Sequence, residues 1–170
     1  MVIGTVKEYT FSHAKPEELP LLFRLYEQRV RWMDEKGIIQ WNATDYLNTY
    51  PLSYYAGHLA NDRLFVLKAA ESVVGAMVLC EEDKRWQRLN QKTAYYIHNL
   101  VTDLAVPGVG IRLLTEAEAL ARKAGKEALR LDCAIANAFL NSYYEALGFQ
   151  FVGLCVDGPY QGNCREKALL

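Results

Sequence analysis

The segment IHNLVTDLAVPGVGIRLL, residues Ile97 to Leu114, changes its apolar period halfway along its length. Its first part is typical of a strand, whereas from Gly108 the apolar residues recur at helical spacing until Gly125 ends the pattern. Backbone N–H groups at a helix start point outward without partners, and glycines let an anion approach without a Cβ in the way. The segment therefore predicts a strand, a glycine turn and a helix that together form an anion-binding site.

The chain after this segment predicts a further strand and helix. Residues Leu129 to Ile135 form a continuous apolar-rich run, Asn137 is a good N-cap, and a helical stripe of apolar residues follows it. Two final strands are predicted, Phe149 to Val156 and Cys164 to Leu170, around a loop from Asp157 to Asn163. The second half therefore reads as strand, helix, strand, helix and a closing pair of strands.

The chain before this segment begins with a strand-like stretch, Val2 to Phe11, which an amphipathic helix follows. Pro16 suits a first helical turn, and the apolar stripe after it ends at Lys36-Gly37. Residues Ile38 to Ala60 are aromatic-rich and irregular, which indicates one or two short helices.

The middle of the chain predicts a hairpin. Two apolar runs, Arg63 to Ala69 and Ser72 to Cys80, are separated by only two residues, which favours antiparallel pairing. The mixed-charge stretch Glu81 to Lys92 is interpreted as a solvated loop, and a strand resumes from Thr93 to Thr102. Hairpins on one side and crossover helices on the other make the sheet mixed. Helices on both faces must cover such a sheet, so the predicted fold class is α/β, a three-layer α/β/α sandwich.

The composition is that of a soluble globular chain. Its 170 residues suit one domain, residues 1–170, and 51% of them are hydrophobic and 23% charged. The 19 basic and 20 acidic residues give a net charge of −1 and form no basic face, so no nucleic-acid partner is expected. No run approaches the roughly 18 uncharged residues of a membrane helix, and the start has no signal-peptide pattern, so no membrane contact and a cytoplasmic location are expected.

The four cysteines, Cys80, Cys133, Cys155 and Cys164, form no C-x-x-C pair and have no zinc-like spacing from the three histidines. Three of them lie in apolar strand-like runs, as small buried residues of a reducing compartment do. We therefore expect four free thiols and no metal site.

The glycines Gly108 and Gly110, taken alone, leave several nucleotide-binding classes open. A dinucleotide fold needs a third glycine, which is missing after Gly110, and a P-loop needs a lysine and hydroxyl pair, which does not follow. The hairpins ahead of the turn also fit a doubly wound sheet poorly. Both of these classes are therefore disfavoured.

With its surroundings, the glycine turn resembles that of the GCN5-related N-acetyltransferases, over about Arg63 to Gly153. In that family an L-x-V strand leads into a loop of the type Q/R-x-x-G-x-G/A, and His98-Asn99-Leu100 and Ala105 to Gly110 stand at these places. The later run LRLDCAIANAFLNSYYEALGF supplies the family's strand, Asn, helical Tyr and Gly-Phe. Two departures would weaken cofactor binding, since Ala105 replaces the usual Gln or Arg and Pro107 removes a backbone donor.

The resemblance implies a mixed, mostly antiparallel sheet that splays between its two central parallel strands just after Leu100. It also implies acetyl-CoA as cofactor, with the pantetheine arm inserted like a short strand beside Asn99 to Val101. Asn137 would act as N-cap and hold a pantetheine amide, and Arg112 would meet a phosphate unless it is a solvated surface residue. The implied cofactor-binding residues are Asn99, Leu100, Val101, Val106, Gly108, Val109, Gly110, Ile111, Arg112 and Asn137.

The resemblance also places two candidate catalytic residues. Tyr144 would lie near the cofactor sulfur and protonate the leaving thiolate; the alternative is a core aromatic on the helix stripe. His98 would serve as the base, although a strand imidazole is more often structural and a carboxylate or water could take its place. Cys133 has no recognisable activating base, so direct attack in a ternary complex is favoured over a covalent thiol intermediate.

The segment Arg31 to Trp41 lies where family members form the substrate-side wall, and Trp32 and Trp41 are either an aromatic lid over the acceptor or core packing. The predicted function is transfer of an acetyl group from acetyl-CoA to a primary amine of a small molecule or peptide. The alternative is a non-catalytic acyl-CoA-binding or regulatory module of the same fold. Specificity would come from Arg31 to Tyr55 and the loop Asp157 to Asn163, and exposed terminal strands would allow a homodimer.

Overall fold

The computed structural model describes residues 8–170, so Val2 to Lys7 of the predicted first strand lie outside the described residues. The strands of the described part are β1 (Tyr9–His13), β2 (Leu64–Ala69), β3 (Ser72–Cys80), β4 (Ala94–Thr102), β5 (Ala128–Ala134), β6 (Gln150–Asp157) and β7 (Tyr160–Ala168). The helices are α1 (Leu19–Lys36), α2 (Tyr46–Thr49), α3 (Leu52–Ala60), α4 (Val109–Lys123) and α5 (Ala138–Ala146). Short 3₁₀ turns lie at Pro16–Glu18, Trp41–Thr44 and Lys84–Trp86.

The strands form one sheet in the order β1-β2-β3-β4-β5-β7-β6. Its central pair, β4 and β5, is parallel, and every other neighbouring pair is antiparallel. The parallel pairing covers only Ala94↔Ala128 to Tyr96↔Arg130, after which the two strands diverge. The predicted splayed, mostly antiparallel sheet is therefore confirmed, but the splay begins after Tyr96, earlier than the predicted position after Leu100.

Helices cover both faces of the sheet, which confirms the three-layer sandwich. Side chains of α4 and α5 pack on one face, around Leu113, Ala117 and Phe149. Side chains of α1, α2 and α3 pack on the other face, where Tyr26, Tyr46 and other aromatic residues dominate. None of the helices within residues 8–170 combines the length and apolar composition that crossing a bilayer requires.

Gly75 on β3 lets the start of α4 lie directly against the sheet. A Cβ at this position would approach the Val109 Cγ1 atom to 2.7 Å and the Leu113 Cδ1 atom to 2.9 Å. Both of those side chains are buried, so they have little room to move away. The absence of a side chain at Gly75 therefore sets how closely the glycine turn approaches β4.

A β-bulge interrupts β4 just beyond the splay. Ala76 pairs with Val101 and Val78 pairs with His98, so the single residue Met77 lies opposite two residues, Asn99 and Leu100. Asn99 has a φ of 51°, a left-handed conformation in which asparagine is enriched among non-glycine residues. The bulge bends β4 where its backbone borders the space between the diverging strands.

Two sequence expectations are corrected by the structure. The charged stretch Glu81 to Lys92 is not simply a solvated loop, because Trp86 is 2% exposed and packs over the Arg130 guanidinium. The predicted loop Asp157 to Asn163 shrinks to the turn Gly158-Pro159, because β7 begins at Tyr160, where it pairs with β6, and pairs with β5 from Gly162.

Candidate functional site

A cavity of about 840 Å³ opens where β4 and β5 diverge. One wall is β4 from Ile97 to Thr102, and the facing wall is β5 from Leu131 to Cys133. Helix α5 and the start of α4 border it on one face of the sheet, and aromatic residues of α1 to α3 border it on the other. The splay therefore creates one space that both helical layers reach.

The glycine turn lies at one end of this cavity. Gly108 is the N-cap of α4 with a φ of 83°, a left-handed conformation that glycine adopts without strain. Gly110 lines the cavity, and the N–H groups of the first helical turn, Val109 to Ile111, have no acceptor within the helix. Partial positive charge at this helix end suits an anion.

The other predicted residues of the turn do not line the cavity with their side chains. Val109 is buried in the core, and Val106 packs partly buried against the same cluster. Ile111 is 50% exposed, and Arg112 forms a 2.7 Å ion pair with Glu116 one helical turn away. For these residues and for Gly108, only the backbone or an exposed side chain could contact a ligand.

Asn137 joins the two layers across the cavity. Its Oδ1 atom accepts a hydrogen bond of 3.0 Å from the Leu140 N–H, as predicted for an N-cap. Its Nδ2 atom donates to the Oε1 atom of Gln40, a buried residue just after α1. The Nδ2 atom therefore already has one hydrogen-bond partner, Gln40, before any ligand amide approaches it.

Asn99 is the polar centre of a cluster of tyrosines. Its backbone carbonyl accepts a hydrogen bond of 2.5 Å from the Tyr26 hydroxyl, and its Oδ1 atom accepts one of 2.8 Å from Tyr54. Its Nδ2 atom donates to the Tyr46 hydroxyl at 2.6 Å. The neighbouring Leu100 and Val101 also belong to the β4 wall of the cavity.

Tyr144 lies on the buried face of α5 and lines the cavity. Burial raises the pKa of its hydroxyl well above 10, so the group is protonated near neutral pH. Its ring packs edge-on against Phe149 at 5.9 Å. Both sequence interpretations are therefore compatible with its position, because the residue packs in the core and also borders the cavity.

His98 lies on the β4 wall, within a group of ionisable side chains that we call the ion-pair cluster: Asp83, Arg85, His98 and Asp132. The Arg85 Nη2 atom lies 3.2 Å from the His98 Nδ1 atom and 2.9 Å from carboxylate oxygens of both Asp83 and Asp132. A guanidinium can only donate, so Nδ1 is the acceptor and Nε2 carries the proton. Burial, then the charge of Arg85, lowers the pKa of His98.

The sequence did not predict Asp83, Arg85 and Asp132 as site residues, and Arg85 is the residue that joins the two carboxylates to His98. Burial opposes its charge, but Asp132 and Asp83 outweigh that effect and raise its pKa. The Tyr160 hydroxyl completes the arrangement by donating to Asp132 at 2.6 Å. Asp83, His98 and Asp132 are close enough to ligate a metal ion, and in the described part of the chain Arg85 supplies the positive charge among them.

Cys133 lines the cavity from β5. Burial raises the pKa of its thiol to about 11, and its Sγ atom lies 3.3 Å from the Asn141 Oδ1 atom. A thiol with this pKa is protonated near neutral pH, and the thiolate is the form that attacks carbonyl groups. The site therefore does not activate Cys133 as a nucleophile.

Trp32 and Trp41 both line the cavity on the α1 side. Trp41 stacks on Tyr46 at 4.4 Å, and Trp32 lies under the Arg29 guanidinium at 5.0 Å. Tyr46, Tyr50 and Tyr54 extend this aromatic wall. The sequence marked this region as aromatic-rich, but it gave no means of choosing which of its tyrosines face the cavity.

The comparisons with known proteins agree with this geometry. The sequence profile of the acetyltransferase (GNAT) family matches residues 26–149. The chain therefore belongs to the GNAT family of acetyltransferases, and the predicted resemblance is confirmed. A relative from Bacillus subtilis strain 168, the uncharacterized N-acetyltransferase YesJ, is 25% identical over 149 residues, which cover 84% of this chain and 82% of YesJ.

Solved structures share the fold at lower sequence identity. A GNAT-family acetyltransferase from Listeria monocytogenes superposes with a TM-score of 0.78 at 24% identity, over 95% of each chain. The PaiA N-acetyltransferase from Thermoplasma acidophilum, solved in complex with coenzyme A, gives a TM-score of 0.74 at 18% identity, over 95% of this chain and 99% of that one. These likenesses show the splayed-sheet fold.

Proposed function

We propose that this protein transfers an acetyl group from acetyl-CoA to a primary amine by direct attack. The observation that carries the proposal is the single cavity between β4 and β5, which is bordered by the α4 start on one side and by the ion-pair cluster on the other. The donor, a thioester with an anionic tail, requires a site for an anion such as the α4 start. The acceptor, a cationic amine, requires carboxylates such as those of the ion-pair cluster. PaiA, which shares the fold, was solved with coenzyme A, and this supports the choice of donor.

The residues of the cavity fit coenzyme A. The α4 start offers backbone N–H donors beside Gly110, which has no side chain to obstruct a phosphate. The diverging β4 edge from Leu100 to Thr102 offers backbone groups that β5 does not pair, as a strand-like pantetheine arm requires. When bound, acetyl-CoA supplies an activated acyl group as a thioester.

The acceptor side favours a basic group. Asp83 and Asp132 carry two negative charges against one on Arg85, while the low pKa of His98 keeps it neutral. Asp157, at the turn before β7, adds another carboxylate to the cavity lining. This negative balance is local to the cluster, because Arg29, the other arginine of residues 8–170 that lines the cavity, bonds to Thr102 at the far end of the β4 wall. Beside the aromatic wall of Tyr50 and Tyr54 it suits an ammonium ion before the ion loses its proton.

Two proton movements follow from the residues present. A lysine-like amine must lose a proton before it attacks, which costs about 4.6 kcal/mol at neutral pH. His98 can accept this proton only if Arg85 first leaves Nδ1, because that lone pair is occupied. Tyr144, protonated and at the cavity wall, donates its proton to the departing thiolate, and the second proton that the nitrogen releases on forming the amide returns Tyr144 to its protonated form. The protonated Cys133 takes no covalent part.

One observation favours the second candidate, a non-catalytic acyl-CoA-binding module. In the loop ahead of α4, the Ala105 N–H already donates to Asp103 Oδ1 at 2.9 Å, and Pro107 has no N–H. The loop therefore offers fewer donors to a pyrophosphate than a family loop with Gln or Arg and without proline. This candidate predicts coenzyme A binding without turnover.

Thiol release from acetyl-CoA across a library of primary amines, together with calorimetric binding of coenzyme A, tests the proposal. Binding with amine-dependent thiol release supports acetyl transfer. Binding without release from any amine supports the module, and no binding contradicts both. Acetyl-CoA incubated with the amine but without the protein is the blank for spontaneously released thiol.

A further inference from the structure

Asn99 makes an unusual set of contacts for a strand residue. Its left-handed φ of 51° occurs in the β4 bulge, and the three hydroxyls that bind it come from three different helices. Tyr26 belongs to α1, Tyr46 to α2 and Tyr54 to α3. The helices α1, α2 and α3, which we call the substrate-side helices, are thus each hydrogen-bonded to one residue of the central strand β4.

These contacts are enclosed. Tyr26 is 0% exposed and Tyr46 is 3% exposed, and the Tyr46 hydroxyl lies 3.3 Å from that of Tyr55. A buried hydroxyl that loses its partner keeps the cost of desolvation, so the tyrosines favour the one backbone conformation in which Asn99 meets all three. The three hydrogen bonds therefore fix the orientation of both the side chain and the backbone carbonyl of Asn99.

The conformation of Asn99 sets the direction of the backbone that follows it. A bulge residue in the left-handed region adds one residue to its strand and turns the strand locally. Leu100 and Val101 come directly after it on the cavity wall, where β5 no longer pairs with β4. Their backbone groups are those that the proposed function assigns to the cofactor.

We propose that Asn99 is a positioning residue, which holds the Leu100 and Val101 amides in the orientation for coenzyme A binding through its hydrogen bonds to the three tyrosines. The proposal rests on the proposed function for the identity of the ligand. It adds a physical link between the substrate-side helices and the cofactor-side backbone. Other residues fail in different ways: glycine adopts the φ but keeps only the backbone carbonyl that binds Tyr26, and alanine keeps that carbonyl but disfavours the φ.

Tyr26 separates this role from direct ligand contact. Tyr26 does not line the cavity, although its ring packs against Trp41 and Tyr46, which do. Replacement by Phe keeps this ring and removes only the hydroxyl that binds the Asn99 carbonyl, so its effect on a ligand passes through Asn99. The variants to compare are Tyr26→Phe, Asn99→Gly and Asn99→Ala. Leu67→Ala, a fully buried β2 residue that also does not line the cavity, is the control for loss of stability alone.

Two readouts are taken, calorimetric affinity for coenzyme A and amide NMR signals of isotope-labelled leucine and valine. We expect Asn99→Ala to weaken affinity by about 10- to 100-fold, and Asn99→Gly and Tyr26→Phe to weaken it less. The Leu100 and Val101 signals should shift in all three variants and stay in place in Leu67→Ala. The proposal is overturned if the three variants lose thermal stability while affinity and both signals match those of Leu67→Ala.

The two proposals fail separately. If the parent protein binds coenzyme A but transfers no acetyl group, the proposed function fails while the affinity comparison still tests Asn99. If the parent does not bind coenzyme A, the ligand assignment fails. The NMR signals then decide whether Asn99 and Tyr26 orient the Leu100 and Val101 backbone, and unmoved signals would overturn that as well.

Discussion

The Tyr143 hydroxyl lies 3.2 Å from the point that a β-carbon on Gly110 would occupy. This contact brings α5 against the first turn of α4, where the proposed anion site lies. Tyr143 also lines the cavity together with its neighbour Tyr144. Neighbouring residues of a helix point about 100° apart, yet Tyr143 and Tyr144 both border the cavity.

The first prediction concerns Gly110→Ala. The added methyl group meets the Tyr143 hydroxyl at the cavity wall, so we expect the substitution to weaken coenzyme A binding. For the parent, ligand at 100 times its dissociation constant should stabilise the fold by about 2.7 kcal/mol. Thermal unfolding with and without coenzyme A measures the loss of this stabilisation.

The double variant Gly110→Ala/Tyr143→Phe is its control. Removal of the hydroxyl gives the methyl group room, so part of the coenzyme A stabilisation should return. An undiminished thermal shift in Gly110→Ala would show that the ligand does not approach this turn.

The second prediction concerns Tyr144→Phe. Only the hydroxyl is lost, so we expect nearly unchanged acetyl-CoA affinity and a turnover lower by about 10²- to 10⁴-fold, the usual contribution of a general acid. Steady-state thiol release with a saturating amine, alongside calorimetry, separates the two effects. Tyr95→Phe serves as the hydroxyl control because Tyr95 lies on β4 but does not line the cavity. Equal turnover in Tyr144→Phe and the parent would remove Tyr144 from the mechanism.

The third prediction concerns Arg85→Met. The change leaves Asp83 and Asp132 without their shared counter-charge in a place where both are largely buried. We expect a loss of about 3 kcal/mol in the free energy of unfolding, at the low end for a broken buried pair because Arg85 is partly exposed. Urea unfolding measures it. Arg112→Met, which breaks the exposed pair with Glu116, should cost only about 0.3 to 0.5 kcal/mol, and equal losses would contradict the structural role of Arg85.

The fourth prediction concerns pH and His98. Its folded pKa lies below the ordinary 6.5, so the fold favours the neutral ring. That contribution is fully present above about pH 6.5 and is lost as the pH falls through the folded pKa. His58, whose burial also lowers its pKa, adds to the same slope.

Thermal unfolding between about pH 8 and pH 5 tests this sign, since stability should fall with pH in the parent and fall less in His98→Gln. An identical slope in the two proteins would show that His98 does not titrate differently on folding. The same variant tests catalysis. Because Nδ1 is already occupied by Arg85, we expect His98→Gln to lose less turnover than Tyr144→Phe.

The sequence predicted those parts of the fold that local pattern determines. The strand-to-helix change at Gly108, the β2–β3 hairpin and the N-cap at Asn137 each depend on residues close together in the chain. The course of Glu81 to Lys92 could not be predicted, because a mixed-charge run looks solvated until its distant partner, Asp132, is known. The role of Asn99 could not be predicted either, because the three tyrosines that bind it lie 45 to 73 residues away in the chain.

Gly75 has a consequence for anyone who would redesign this protein. It touches no proposed ligand, yet any side chain there would push Val109 and Leu113 outward and carry the positive end of the α4 dipole away from the cleft. A mutant library restricted to cavity-lining positions would not include Gly75. Random mutagenesis would include it, and the effect of a substitution there on ligand binding would not be explained by any contact with the ligand. The position of a helix end relative to a charged ligand can thus be set by a residue of the sheet on which the helix packs.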